Sequence, residues 1–302
     1  MKPLILIAND DGIHARGLHA LAERLADLGD LIVVAPDRER SATSHAFTMT
    51  HPLRVEEIRP GWFSVDGTPV DCVYIGVLKL APRPPSLLVS GINHGYNLGS
   101  DIFYSGTVAC AVEADIRGIP SIAMSLDHHA TDDFGPAADF AHAISRAVLA
   151  EGLPEGTLLN VNVPAGAAKR YTFTRLGKRL YRDTVDERAD LRGRRYYWIG
   201  GPPVGLGDAD GTDGRTITGG VVSVTPLGLD LTHGGLLEKL PGWRVHGFEA
   251  VMDEELPNAL VSSEAETAGD GQGTSKGQGP SPAARPAATT AATTAVTKDG
   301  PG

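Results

Sequence analysis

Nothing in the chain narrows its fold as much as Leu4-Ile5-Leu6-Ile7-Ala8 running straight into Asn9-Asp10-Asp11-Gly12. Five apolar residues without polar alternation describe a strand buried on both faces, as in a parallel sheet covered by helices. The polar break sets an amide and two adjacent carboxylates beyond the carboxyl end of that strand, where open α/β sheets collect their ligands. Leu18, Leu21, Ala22, Leu25 and Leu28 follow at helical spacing with Gly29 as a stop, and Leu31 to Ala35 reads as a second buried strand ended by Pro36-Asp37. Strand, helix and strand in that order predict a βαβ unit with parallel strands and a right-handed crossover.

The same reading continues down the chain. Arg38 to Thr50 is a polar loop over the edge that carries Asp10, Leu53 to Val65 is a hairpin, and Val70 to Leu80 is a short helix ended by Ala81-Pro82-Arg83-Pro84-Pro85. Ser86 to Ser90 is a third core strand. Gly91 to Gly99 is too rich in glycine and polar groups for a regular element and suits backbone that approaches a ligand closely. Val108 to Arg117 reads as a helix, Ile119 to Leu126 as a strand, the stretch around Phe140, Ile144, Ala147 and Val148 as a helix, and Leu158 to Pro164 as a fifth strand. Beyond it, Tyr171 to Phe173, Arg194 to Ile199 and Val221 to Thr225 are strand-like, with Gly200 to Gly220 as a loop; this half is expected to form an antiparallel extension outside the parallel sheet. The expected fold is a three-layer, Rossmann-like α/β domain over residues 1–250, with a core sheet in 1–165, a β-rich extension in 166–250, and a disordered tail at 251–302. That tail is Ala, Gly, Thr, Ser and Pro, and buries too little apolar area to offset its ordering entropy.

Charge and composition exclude several functions. A formal net charge of −10 argues against nucleic acid or an anionic membrane as partner, so an anionic substrate needs a local positive field from a metal ion or a helix N-terminus. Two cysteines, Cys72 and Cys110, give neither a disulfide framework nor a metal cluster and read as reduced core thiols. No signal-peptide pattern and no run of membrane-spanning length is present, and a cytoplasmic location is expected.

Three strand ends carry oxygen donors. The first ends in Asn9-Asp10-Asp11, the second leads through Asp37 to Ser41, and the third leads to Asn93. Asn-Asp-Asp-Gly is also good turn chemistry, so the pair of carboxylates alone decides nothing. Together, two carboxylates, a hydroxyl and an amide oxygen match what a hard divalent cation binds, with places left for water and a phosphate oxygen. Ser105-Gly106-Thr107 precedes a helix, where free amides and the dipole favour an anion, although its hydroxyls also suit plain capping. Asn97 is placed to donate its amide to the same anion.

These residues carry a close resemblance to a known family. Asn9-Asp10-Asp11-Gly12, Ala35-Pro36-Asp37-Arg38 to Arg40-Ser41, Ser90-Gly91-Ile92-Asn93 with Asn97, Gly99 and Asp101, and Tyr104-Ser105-Gly106-Thr107-Val108 resemble the SurE family of survival-protein nucleotidases. Asn160 to Pro164, Tyr196-Tyr197-Trp198, Gly211-Thr212-Asp213 and Thr225-Pro226-Leu227 with Asp230 and Thr232 extend the resemblance over about residues 1 to 243. It implies a metal-dependent phosphomonoesterase acting on nucleoside 5′- and 3′-monophosphates and, in some members, on short polyphosphate. Asp10, Asp11, Ser41 and Asn93 would hold one Mg²⁺ or Mn²⁺ per subunit, Asn97, Ser105, Gly106 and Thr107 would line the phosphate site, and Asp10, Asp11, Asn97 and Ser105 would be catalytic. A homodimer or homotetramer is implied, with the antiparallel extension in the contact and His233 at a subunit-exchanged element. Two positions depart from the family: Glu39 stands where Asn is usual and Ala42 where Gly is usual, which adds a carboxylate and removes backbone freedom beside Ser41.

Other readings stay in view. Asp127-His128-His129 resembles the metal motif of another phosphoesterase class, but that class needs upstream aspartates in a different arrangement, so the trio is read as the start of a loop. His14, His19, His45 and His94 are read as surface or hydrogen-bonded residues, with His45 and His94 the better acid–base candidates. Lys169 to Arg195 holds ten Lys or Arg against four Asp or Glu and is read as a solvated hairpin or subunit contact, or as the source of one arginine for a substrate phosphate. The rival functions are an aspartyl-phosphate phosphatase with Asp10 as nucleophile and a nucleotide-binding sensor with little turnover.

Overall fold

The strand at the N-terminus, β1 (Leu4–Ala8), is buried at every residue. Its two faces feed separate cores: Ile5 and Ile7 pack with Leu18, Leu21 and Leu25, while Leu4, Leu6 and Ala8 pack with Val73, Val108 and Ala111. Each such fully buried Leu or Ile contributes about 1.5–3 kcal/mol, and a strand with two cores has no face left for polar residues. The computed structural model describes residues 2–129, 133–166, 169–181, 184–200, 203–206, 209–244 and 246. The chain divides into two units, Met1–Gly234 and Gly235–Gly302. Among its described residues are a helical turn at Leu240–Gly242 and most of the turn Gly234–Leu237, and the tail expected from 251 lies outside the described residues.

In the first unit β1 is followed by α1 (Arg16–Leu25), β2 (Asp30–Pro36), β3 (Val55–Arg59), β4 (Trp62–Val65), α2 (Pro69–Ile75), β5 (Leu87–His94), α3 (Gly106–Ile116), β6 (Ser121–Leu126), α4 (Gly135–Glu151) and β7 (Thr157–Val163). Then come β8 (Tyr171–Phe173), β9 (Arg179–Tyr181), β10 (Thr184–Ala189), β11 (Arg195–Gly200), β12 (Pro203–Leu206), α5 (Asp213–Thr218) and β13 (Val222–Gly228). Nine strands form one sheet in the order β3-β4-β2-β1-β5-β6-β7-β13-β8. The pairs from β4 to β7 are parallel, and β3 and β13 pair antiparallel to β4 and β7. Helices α1 and α4 cover one face and α2 and α3 the other, the three-layer arrangement expected. Helix α3 is apolar nearly all round, and its alanines let it lie close on the sheet. No described helix is long and apolar enough to cross a membrane.

Four local expectations change. The helix predicted over 70–80 stops at Ile75 and continues as a wider turn over Gly76–Leu80. Its start is well specified: the Thr68 hydroxyl accepts from the Asp71 amide, the Asp71 carboxylate accepts from the Thr68 amide, and Pro69 occupies the first turn. The third strand does not end at Ser90 but runs on to His94, because its pairing with β6 slips between Ser90 and Asn93. Gly91 permits that slip at a φ of 127°, where an added Cβ would lie 2.4 Å from the Met124 carbonyl oxygen. The second half divides differently from the sequence reading: Tyr171–Phe173 and Val222–Gly228 join the main sheet, and among the described residues only β10 with β11 and β9 with β12 form separate antiparallel pairs. The expected loop from Gly200 to Gly220 contains β12 and α5.

Candidate active site

The carboxyl ends of β1 and β5, together with the segment that follows β2, meet around a cleft of about 500 Å³ lined by Asp10, Asp11, Glu39, Ser41, Ala42, Asn93, His94, Tyr96, Asn97, Asp101, Tyr104 and Ser105. Parallel strands end at the same edge, so residues far apart in sequence arrive together. The Asn9 side chain closes the first turn, donating to the Gly12 carbonyl at 3.0 Å and accepting from the Gly12 amide at 3.2 Å. The Arg40 amide donates to the Asp10 carbonyl at 2.7 Å and fixes the second loop against the first.

Asp10 is almost fully buried. Burial pushes its carboxyl above the usual range, and the Thr107 hydroxyl together with the amides of Gly106 and Thr107 pulls it part of the way back. The N-terminus of α3 therefore already faces a carboxyl group, that of Asp10. Gly106 and Thr107, expected with Ser105 at the phosphate site, follow it at the start of α3; neither is among the residues lining the cleft, and Thr107 is wholly buried with its hydroxyl on Asp10. Gly106 is needed for that approach, since a Cβ there would lie 2.7 Å from the Asp10 Cβ. Ser105 does border the cleft while its oxygen accepts from the Val108 amide at 3.1 Å, so it caps α3 and keeps its own proton to donate.

Asp11 is pushed up to about 7, first by burial and then by the charges of Asp10 and Glu39. Among the described residues lining the cleft there is no Lys or Arg to relieve this crowding. The donor set therefore fits a hard divalent cation: two carboxylates short of positive charge, with neutral oxygens beside them. Asn93 donates its NH₂ to the Gly95 carbonyl at 2.8 Å, which leaves its amide oxygen to meet a ligand. The Ser41 hydroxyl donates to Glu39 at 2.7 Å, which turns its lone pairs outward as a cation requires. The unusual carboxylate at 39 thus orients the hydroxyl next to it. The other departure carries strain: Ala42 sits at a φ of 58°, a conformation that costs a residue with a Cβ about 1–2 kcal/mol. Allowing for the greater unfolded-state freedom of glycine, Ala42→Gly should stabilise the fold by about 0.5–1 kcal/mol, measured as a higher urea midpoint at unchanged slope.

Asn97 is held by a clamp that the sequence reading did not assign. Its amide donates to Asn162 Oδ1 at 2.8 Å, and its carbonyl accepts from the Nδ2 atoms of Asn160 at 2.8 Å and Asn162 at 3.1 Å. One N–H of its side chain goes to Ser125 Oγ at 2.8 Å, and the other is left to donate. Asp213, at the start of α5, is buried and accepts from the amides of Gly99, Gly177 and Gly214 at 2.8, 2.8 and 2.7 Å, which ties the end of the Asn97 loop to the second half of the chain. Two hints lay in the sequence: asparagines alternating along a buried strand, and an aspartate next to glycines. Neither states its partner.

Of the histidines weighed above, His94 lines the cleft. His45 is engaged instead with Glu113 at 3.0 Å and borders a separate apolar cavity of about 610 Å³. His14 and His19 border a third cavity beside α1. No described arginine of the basic segment 169–195 lines the cleft, so the reading that one reaches a substrate phosphate is not met there.

With this geometry in view, comparison with known proteins is specific. The profile of the family described as "Survival protein SurE" matches residues 5–183. A protein of Syntrophotalea carbinolica named 5′-nucleotidase SurE is 51% identical over 242 residues, covering 80% of this chain and 97% of its own. One of Anaeromyxobacter dehalogenans with the same name is 50% identical over 249 residues, covering 81% and 97%. The crystal structure of the SurE protein from Aquifex aeolicus superposes with a TM-score of 0.71 at 43% identity, covering 80% of this chain and 99% of that one. On its fold, its strand-end residues and these likenesses, the chain belongs to the SurE family.

Proposed function

We propose that the chain is a metal-dependent nucleotidase that hydrolyses nucleoside 5′- and 3′-monophosphates, and short polyphosphate, to release phosphate. The observation that carries this reading is an acidic cleft at the strand ends with no lysine or arginine among its described lining residues, in a relative of proteins named 5′-nucleotidase. A dianionic phosphate enters such a cleft only alongside a cation. Asp10, Asp11, Ser41 and Asn93 would hold one Mg²⁺ or Mn²⁺. When bound, the ion neutralises phosphoryl charge and makes water a better nucleophile near neutral pH. The chain's own residues do the rest. Asn97 and Ser105 donate to phosphate oxygens from positions fixed by the asparagine clamp and the helix cap, which places the phosphoryl group before charge develops on it. Thr107 and the α3 amides fix Asp10 in place and offset part of the upward shift that burial gives its carboxyl.

The test is phosphate release from AMP by the full chain with added Mn²⁺, with and without chelator. Release that stops with chelator is expected. AMP binding without release under any divalent ion would overturn the reading in favour of a sensor, and a trapped phospho-aspartate would overturn it in favour of the aspartyl-phosphate route.

Protons and cation compete at Asp11. Its folded value of about 7 lies above the unfolded 3.8, so in metal-free protein its contribution to stability is full below 3.8 and is lost as pH rises through about 7. A cation replaces the proton only above that range. The melting-temperature gain from Mn²⁺ should therefore be larger at about pH 8 than at about pH 5.5; equal gains at both would contradict it.

We also propose that the β10–β11 hairpin is a contact between subunits of a homodimer or homotetramer. A two-stranded ribbon is marginal alone in water, and this one exposes Val185, Tyr197, Trp198 and Ile199, the last at 89%.

A further inference from the structure

We propose that Asp127, His128 and His129 form a second metal site, distinct from the oxygen-lined cleft and selective for a borderline transition ion such as Zn²⁺, Co²⁺ or Ni²⁺. They follow directly on β6, and one ligand atom from each lies within 4.8 Å of the other two. His128 Nδ1 stands 3.6 Å from Asp127 Oδ1, and the two imidazole rings lie 3.7 Å apart between centroids.

The carboxylate is oriented rather than loose. Asp127 Oδ1 accepts from the His129 amide at 3.0 Å, and the Tyr96 hydroxyl also donates to this carboxylate. Asp127 is largely covered while His128 is half exposed, so protein supplies one side of the site and solvent the other. Two imidazole nitrogens and one carboxylate oxygen, with open positions for water, are the donor set of Zn²⁺ and its neighbours in the transition series. Mg²⁺ prefers oxygen alone. The cleft offers carboxylate, hydroxyl and amide oxygens with the single imidazole of His94, whereas the trio offers two imidazoles and one carboxylate, so the balance of donors separates the two sites.

The position gives the site reach. Tyr96 borders the cleft and bonds Asp127, and the Gly95 amide donates to the Leu126 carbonyl at 2.8 Å, so the trio adjoins the loop that carries Asn97. A metal on Asp127 competes with the Tyr96 hydroxyl for the same oxygens.

The experiment is equilibrium dialysis of the full chain against Zn²⁺ in the presence of excess Mg²⁺, which saturates the cleft. Wild type, Asp11→Asn and the double variant His128→Ala/His129→Ala are compared, with circular dichroism confirming the fold. One equivalent of Zn²⁺ is expected in wild type and in Asp11→Asn, with affinity at least about tenfold weaker in the double variant. With Co²⁺ as probe, the visible absorption of a nitrogen-ligated ion should appear in the first two and be lost in the third. No Zn²⁺ bound over Mg²⁺, Zn²⁺ bound equally by the double variant, or Zn²⁺ lost with Asp11→Asn would each overturn the proposal.

Discussion

Replacing Asp11 by Asn should cut phosphate release from AMP on the order of a thousandfold while making the metal-free protein more stable, not less. The loss follows from what a cation contributes at a phosphoryl group: several kcal/mol of charge stabilisation, with each 1.4 kcal/mol or so worth about tenfold in rate. Asparagine keeps the shape of Asp11 but removes half of the carboxylate charge that draws the ion in. The gain in stability follows from the same crowding. Asp11 is driven from 3.8 to about 7 by burial and by the charges of Asp10 and Glu39, so its ionisation at neutral pH works against the fold. Water reaches this group, and screening reduces the effect to about 2 kcal/mol, which for a chain of this size is about 5 °C in melting temperature. The variant should therefore melt higher than wild type in chelator at about pH 8 and should lack the upward shift with Mn²⁺ that is expected of wild type. A group that lowers stability and raises activity marks a site kept for function. Activity within tenfold of wild type at saturating Mn²⁺, or a lower melting temperature in chelator, would refute this account of Asp11.

Much of this arrangement is legible in the sequence because parallel sheets convert order along the chain into position at an edge. The unbroken run Leu4–Ala8 requires two cores and has them, and once it is placed, Asp10, Asp11, Ser41 and Asn93 must arrive near the same rim. What the sequence does not carry is the partner of each polar group. Thr107 is read for the phosphate site because it stands at a helix start, and nothing in the sequence announces that its hydroxyl is bonded to the buried Asp10. His45 belongs to the same polar loop as Ser41, but the chain beyond Ala42 turns it to Glu113. Gly91 to His94 reads as loop from its composition, whereas a slip of pairing keeps it in the sheet. The second half is least legible. Strand β13 pairs antiparallel to β7 across more than fifty residues of intervening chain, so no local pattern announces it. Placing that strand in the main sheet is what brings α5, and with it Asp213, near the Asn97 loop.

Asp213 gives the largest expected effect on stability. Its carboxylate lies inside the protein at 1% exposure and accepts from three backbone amides, those of Gly99, Gly177 and Gly214. Each of these donors comes from a different connection: the segment after the Asn97 loop, the segment after β8, and the first turn of α5 itself. No side chain of comparable size replaces such an acceptor without leaving amides unpaired. Buried donors without partners cost about 1–3 kcal/mol each, and more when the lost acceptor is charged. Asp213→Ala should therefore destabilise the chain by about 4 kcal/mol, less than the simple sum because water enters the space vacated. Asp213→Asn retains one acceptor oxygen but sets an NH₂ against an amide donor, and should cost about half as much. Because Gly99 closes the loop that carries Asn97, the cost should also reach the cleft: KM for AMP should rise in Asp213→Asn even under conditions where the variant is fully folded. Urea unfolding of both variants, with KM measured well below the unfolding midpoint, tests the two effects separately. Equal stability of Asp213→Ala and wild type would mean that the three amides find other acceptors, and an unchanged KM in a destabilised Asp213→Asn would show that the Asn160–Asn162 clamp alone is enough to hold Asn97.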